Sequence, residues 1–169
     1  LNPGGNNPAK RWPPERFASV AKRLVERHGL RVLVNGSPAE AEVTGAVVEM
    51  SGAGAADLSQ CGGSIGALKA IVRDARILVT NDTGPRHIAA AFGTPVVSLF
   101  GPTDPRWTDI SSYLPARRDG KRGDVERVIV ADPTLPEELV ADDHPERCRV
   151  EKIETSAVIE AVEELLDGR

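Results

Sequence analysis

The residues best suited to chemistry in this 169-residue chain lie in one run, Leu78-Val79-Thr80-Asn81-Asp82-Thr83-Gly84-Pro85-Arg86-His87. An apolar stretch stops at Asn-Asp; Thr and Gly follow, then Pro, with His87 one turn further on. Pro suits the first turn of a helix, because its missing N–H costs nothing there and its φ is already helical. The pattern predicts a strand, a tight turn and a helix N-terminus. Open backbone N–H groups and the positive helix end make such a turn an anion site suited to phosphate, with Asp82, Thr83 and His87 around it. The same residues also serve a purely structural turn, in which Asp or Thr caps the helix, Gly turns the chain and His packs. A polar cluster at a strand end in an α/β pattern favours the ligand site.

A second candidate is Asn2-Pro3-Gly4-Gly5-Asn6-Asn7-Pro8-Ala9-Lys10-Arg11-Trp12-Pro13. A loop rich in Gly and Asn brings backbone close to a ligand, and a Lys beside a phosphate acts as a neutralising point charge. The alternative is a frayed segment with a solvated Lys-Arg pair. The well-marked helix start at Trp12-Pro13-Pro14 holds Lys10 near the sheet and speaks against fraying. In a third segment, Phe100-Gly101-Pro102-Thr103-Asp104-Pro105, turn chemistry alone accounts for the residues. Gly52-x-Gly54 lacks the third Gly of a dinucleotide fingerprint, and no phosphate-binding P-loop is present. Asp142, Asp143, His144 and Cys148 match no standard zinc spacing and read as a polar loop. Asn81-Asp82-Thr83 fits a glycosylation sequon but ends a buried strand. His28 closes an exposed helix and needs no role, and no nucleophile elbow appears.

The elements that must position these groups follow from periodicity. Phe17, Val20, Ala21, Leu24 and Val25 have helical spacing within Pro14 to His28, with Gly29 as C-cap. Arg31 to Asn35 reads as a strand, Gly36-Ser37 as a turn and Ala39 to Val47 as a helix. Val47 to Met50 is a weak strand at best, before a Gly/Ala-rich loop over Ser51 to Ala56. Ser64 caps a helix reaching Ala75. Ile77 to Asn81 is a strand, Pro85 to Gly93 a short helix, Pro95 to Phe100 and Glu126 to Val130 strands, and Thr155 to Leu166 a closing amphipathic helix. The polar stretch Asp109 to Gly123, with Arg117, Arg118, Lys121 and Arg122, reads as a mobile surface loop. Short apolar strands separated by helices indicate a parallel sheet covered on both faces. The expectation is an α/β fold, a Rossmann-like doubly wound parallel sheet, with ligands beyond the carboxyl ends of the strands.

Length fits a single domain over residues 1–169, and the net charge of −4 argues against general nucleic-acid binding. No stretch approaches the roughly 18 apolar residues of a membrane span, and no signal peptide is visible. Cys61 and Cys148 form no metal or redox motif, which favours a reducing cytoplasm. The opening residues look like the end of a strand, so the chain reads as a domain cut from a longer protein.

Taken together and in order, the motifs resemble the C-terminal half of the ADP-heptose:lipopolysaccharide heptosyltransferases. The matching pieces are Asn2-Pro3-Gly4-Gly5 with Lys10-Arg11-Trp12-Pro13; Val32-Leu33-Val34-Asn35-Gly36; Leu68 to Ala75; Asn81-Asp82-Thr83-Gly84-Pro85-x-His87-x-Ala89-Ala90-Ala91; and Pro95-Val96-Val97-x-Leu99-Phe100-Gly101-Pro102-Thr103. They cover roughly Leu1 to Thr108, and the closing helix with Cys148 and Ile153 ahead of it is similar to the family's ending. The resemblance implies the C-terminal half of a GT-B glycosyltransferase, which binds the nucleotide sugar, transfers heptose with inversion and needs no bound metal or other cofactor. It implies donor contacts from Gly5, Asn6, Lys10, Glu40, Gly63, Asp82, Thr83, Gly84 and His87. Lys10 would contact the donor diphosphate or sugar and stabilise the departing ADP, as positive groups aimed at developing charge do. Asp82 would bond sugar hydroxyls, and Thr83 and Gly84 the phosphates. Glu40 is a ribose or base contact or, equally, a solvated helix residue. The loop at Gly62-Gly63-Ser64 falls where the family lines its nucleotide pocket, although the position near Gly63 more often carries Thr or a larger residue there.

The family's catalytic base is an Asp of an N-terminal acceptor domain, which these residues do not include. The implied reading is therefore a donor-binding domain that binds but does not transfer sugar by itself. Its partners would be the nucleotide sugar and the N-terminal domain, with no nucleic acid. A cytoplasmic location and peripheral membrane association of the whole enzyme go with it. The Arg117 to Arg122 cluster either approaches anionic lipid phosphates or forms a solvated loop. Two other functions stay open: another GT-B-like nucleotide-sugar enzyme, such as a UDP-sugar epimerase or transferase, and a non-catalytic nucleotide-binding module. Lys10→Ala and Asp82→Ala are expected to weaken donor binding without unfolding the domain.

Overall fold

A computed structural model describes residues 1–52, 54–120 and 124–168. Among the described residues five strands and five α-helices alternate, except that β5 follows β4 with no α-helix between: α1 (Pro14–His28), β1 (Val32–Val34), α2 (Ala41–Ser51), β2 (Ala55–Asp57), α3 (Ile65–Asp74), β3 (Leu78–Asn81), α4 (Gly84–Phe92), β4 (Val96–Phe100), β5 (Glu126–Val130) and α5 (Thr155–Asp167). All named pairings are parallel, β1 with β2 and β3 with β4 with β5. Leu1 and Asn2 close the gap between the two groups. The Leu1 amine donates to the Leu33 carbonyl, the Asn35 N–H donates to the Leu1 carbonyl, and the Asn2 N–H donates to the Val79 carbonyl. Across the molecule the order is β2, β1, Leu1–Asn2, β3, β4, β5. Numbered along the chain, that is 3-2-1-4-5-6, the doubly wound Rossmann order. The direction of winding reverses between Leu1–Asn2 and β3.

Strand alternation divides the core. Val79, Val97 and Leu99 join α1, α2 and α5 on one face, through Phe17, Val20, Leu24, Val47, Val158, Val162 and Leu165. Leu78 and Val96 face the other way, onto Val72 of α3 and Ala89 of α4. Trp12 is fully buried, meets Phe17 edge-on at 5.1 Å between ring centroids, and donates its indole N–H to the Ile153 carbonyl at 3.0 Å.

Three sequence expectations need correction. The Val47–Met50 stretch is not a strand; α2 runs on to Ser51. The next strand is Ala55–Asp57, inside the stretch whose composition reads as a loop (Ala53 of that stretch lies outside the described residues). Ala-Ala-Asp has little β propensity of its own, and only pairing with β1 makes it a strand. Nor is the described part of the β4–β5 connection a loose surface loop. The Arg117 side chain is 1% exposed and pairs with Asp119 and the Leu165 carbonyl. The Arg118 N–H donates to the Gly93 carbonyl, and its guanidinium reaches the Arg73 carbonyl and Asp74. These contacts enclose Arg117, while the Arg118 side chain stays exposed. Lys121 and Arg122 lie outside the described residues. Asp104 is a buried cap, as turn chemistry anticipates: it accepts from the Arg106 N–H and guanidinium. Those bonds hold its carboxyl well below the usual range against the opposing effect of burial.

Candidate functional site

Three neighbouring segments each end in Asn at the C-terminal edge of the sheet: Asn2, Asn35 after β1, and Asn81 closing β3. They tie the loops of the site together. Asn35 donates its amide to Asn2 Oδ1 at 2.8 Å, and Asn2 donates to Thr83 Oγ1 at 3.2 Å. Asn81, wholly buried, accepts from the Trp12 N–H at 3.2 Å and donates to the carbonyls of Pro3 and Gly4 at 2.8 and 3.1 Å. Buried polar groups must be paired to be tolerated, so Asn81 fixes the Gly-rich loop directly over the end of β3.

Gly5 is held at both ends of its peptide unit. Its N–H donates to Glu40 Oε1 at 2.6 Å, and its carbonyl accepts from Arg11 Nε at 2.8 Å. Glu40 lies in a one-turn 3-10 helix, Pro38–Glu40, rather than in α2, and its Oε2 accepts from the Ser37 N–H and hydroxyl, both at 2.8 Å. Burial opposes ionisation of Glu40. The bonds from Ser37 and Gly5 and the charge of Arg11 outweigh it and hold the carboxyl below its ordinary value. A Cβ on Gly4 would overlap the Glu40 carboxylate, so this close approach requires a glycine at position 4.

Lys10 ends another 3-10 turn, Pro8–Lys10, capped by the Asn7 side chain. Its Nζ lies 2.8 Å from Asp82 Oδ2; the Lys side chain is 26% exposed and the Asp 7%. Next to this pair begins α4. Thr83 is its N-cap residue, but the Thr83 hydroxyl engages the Asn81 carbonyl, Thr80 Oγ1 and Asn2, and no side chain caps the helix. The positive pole of α4 is thus directed past Thr83 and Gly84 into a cavity of about 400 Å3.

Of the residues that the resemblance implies as donor contacts, Gly5, Asn6, Lys10, Glu40, Asp82, Thr83 and Gly84 all line that cavity. Gly63 and His87 do not: Gly63 is exposed in the turn before α3, and His87 is exposed on α4. Asn2, Asn7, Asn35 and Pro85 also line it and went unread as site residues. For Asn35 a signal is present in the sequence, an apolar strand, Val32-Leu33-Val34, that stops at Asn. A larger cavity, about 620 Å3, opens between β1, β3 and α3, with walls dominated by Leu30, Leu33, Leu68, Ile71 and Ile77. It contains none of Lys10, Glu40 and Asp82. Among the described residues no cluster of three or more His, Cys, Asp or Glu side chains is arranged to hold a metal.

The cavity sits beyond the carboxyl ends of the strands where the winding reverses, the usual ligand crevice of an open α/β sheet. It offers an ammonium group, a helix pole and amides to an anion, and a carboxylate to hydroxyl groups.

Comparison with known proteins places the chain among heptosyltransferases. Lipopolysaccharide heptosyltransferase 2 of Escherichia coli is 36% identical over 116 residues, covering 63% of this chain and 31% of that protein. Lipopolysaccharide heptosyltransferase 1 of Pseudomonas aeruginosa is 38% identical over 102 residues, covering 59% of this chain and 27% of that protein. The chain thus spans about a third of the length of these curated relatives. The solved structure of E. coli ADP-heptose lps heptosyltransferase II superposes with a TM-score of 0.73 at 27% identity, over 98% of this chain and 45% of the other. Residues 1–117 match the sequence profile of glycosyltransferase family 9 (heptosyltransferase), and those residues contain the whole cavity; the chain belongs to that family.

Proposed function

We propose that this chain is the donor-binding domain of an inverting GT-B heptosyltransferase that transfers heptose, or a related sugar, from an ADP-sugar to a lipopolysaccharide-type acceptor. The observation that carries the reading is the Lys10–Asp82 pair beside the uncapped N-terminus of α4, in the crevice between Leu1–Asn2 and β3. On this reading the diphosphate lies against Lys10, Thr83 and Gly84. As the bond from the sugar's anomeric carbon to the phosphate oxygen breaks, its electron pair passes to the leaving ADP. Lys10 and the N–H groups of the α4 turn stabilise the charge that develops there. Asp82 then bonds sugar hydroxyls and keeps Lys10 in place. Glu40 acts mainly by shaping the Gly4–Gly5 loop, since both its oxygens already accept bonds. Gly63 and His87 lie outside the cavity and have no assigned contact in this reading.

The acceptor site and the general base belong, on this proposal, to a further domain of the whole enzyme; the relatives are about three times as long as the stretch they share with this chain. Cytoplasmic action with peripheral membrane association fits an acceptor of this kind. Among the described residues no helix is long and apolar enough to cross a membrane.

Calorimetric titration of the chain with ADP, UDP and ADP-heptose tests the proposal. Lys10→Ala should weaken ADP and ADP-heptose about tenfold or more, the range of one charge-assisted hydrogen bond. Asp82→Ala should weaken ADP-heptose more than ADP, because the carboxylate bonds the sugar directly and reaches the phosphates only through the placement of Lys10. A preference for UDP, or a Lys10→Ala variant that binds ADP as tightly as the parent, would overturn the assignment.

A further inference from the structure

Arg86 occupies the one position in Pro85-x-His87 that the motif leaves unspecified, and the structure gives it an unexpected place. It lies in the first turn of α4, two residues from Gly84, with a side chain only 1% exposed. A cation at this end of a helix opposes the helix dipole, and a buried cation needs a partner. Glu126, the first residue of β5 and 6% exposed, supplies it with two prongs: Nε to Oε1 at 2.6 Å and the second guanidinium nitrogen to Oε2 at 3.1 Å. Glu126 Oε1 also accepts from the Ser98 hydroxyl of β4 at 2.5 Å. The remaining nitrogen donates to the Thr108 carbonyl at 2.8 Å and lies 3.2 Å from its hydroxyl. The guanidinium carbon stands 5.0 Å from the centre of the Phe100 ring. One side chain therefore joins α4, β4, β5 and the β4–β5 crossover.

A buried ion pair contributes little net stability compared with well-packed apolar groups of similar volume. Its planar, two-pronged geometry instead fixes direction. We infer that Arg86 is a positioning residue for the cavity: by clamping the first turn of α4 to β5 and the crossover, it sets where the backbone at Thr83 and Gly84 points. This rests on the donor-binding reading, in which that turn receives the diphosphate. Arg86 touches no substrate; it acts through the turn.

The test compares Arg86→Met with the double variant Arg86→Met/Glu126→Met. Readouts are thermal unfolding, ADP titration and amide hydrogen exchange over residues 83–88 and 105–108. The single variant strands the Glu126 charge and should lower the unfolding midpoint. The double variant leaves no buried charge and should recover most of the midpoint. If Arg86 positions the turn, the double variant still exchanges faster at both segments and binds ADP about tenfold more weakly. Recovery of exchange protection and of affinity together with the midpoint would overturn the inference, because the pair would then be mere packing. Should the double variant fail to fold, Arg86→Lys serves instead. It keeps the charge and loses the two-pronged geometry, and unchanged exchange and affinity in it would equally refute the idea. Failure of the parent chain to bind ADP counts against the donor reading alone, since exchange at residues 83–88 still decides the role of Arg86.

Discussion

The Gly-rich loop over β3 and the crossover between β4 and β5 are both irregular backbone held by charged side chains, but the charges are used differently. In the first, Lys10 and Asp82 meet at the wall of an open cavity, with the lysine still partly in water. Such a pair is exchangeable: an arriving anion competes for the ammonium and a hydroxyl for the carboxylate. In the second, Arg86 and Arg117 are almost completely enclosed and their partners are protein groups, Glu126, Thr108, Asp119 and the Leu165 carbonyl. Those contacts serve shape. Among its described residues the crossover has only short 3-10 turns, at Pro105–Thr108 and Ser111–Tyr113, and these side chains tie it to the rest of the fold. Under the proposed function, the part-exposed Lys10 at a cavity wall serves a ligand, whereas the enclosed Arg86 and Arg117 serve as clamps.

That contrast can be broken by substitution. Arg117→Ala gives the largest expected change, a loss of about 2–3 kcal/mol from an abandoned charged hydrogen bond and an unpaired buried carbonyl. It should leave ADP affinity untouched, and denaturant unfolding with a parallel titration checks both halves. An affinity change as large as the stability change would mean that crossover and cavity are one unit. Gly4→Ala should do the opposite. Gly4 is buried, but the new methyl group meets only the movable end of the Glu40 side chain and pushes its carboxylate away from Gly5, so ADP binding falls several-fold while unfolding shifts by about 1 kcal/mol, an ordinary value for one substitution. The smallest effect concerns pH. Glu40 has a lowered carboxyl pKa in the fold, so its share of stability is complete above the ordinary value of 4.5 and disappears as pH falls below it through the folded value. Glu40→Gln should flatten the acid limb of the stability curve slightly, and an unchanged limb would show that Glu40 does not govern it.

How much of this was legible in the sequence depends on how local each feature is. The helices with strong apolar periodicity, α1, α3 and α5, and the apolar strands β3 and β4 follow from spacing. So does the turn after Asn81, where Asn, Asp, Thr, Gly and Pro each restrict the backbone within a few residues. β2 did not, because a three-residue strand carries no periodicity and exists only through its partner. Glu40 reads in the sequence as either a ligand contact or a solvated residue; it lines the cavity and also braces a loop 35 positions away, a partner no local pattern indicates.

The sequence by itself determined the alternating α/β order, the family-bearing motifs and the residue types available at each strand end, since these depend on neighbours along the chain. Only the tertiary structure decided which of them meet. It brought Lys10 to Asp82 across 72 positions, left His87 and Gly63 outside the cavity, buried Arg86, to which the motif assigned no role, and enclosed Arg117 of the stretch read as a surface loop. The reason is physical: a charged side chain is placed by whichever distant group satisfies it once water is excluded, and no pattern among its neighbours in sequence encodes that partner.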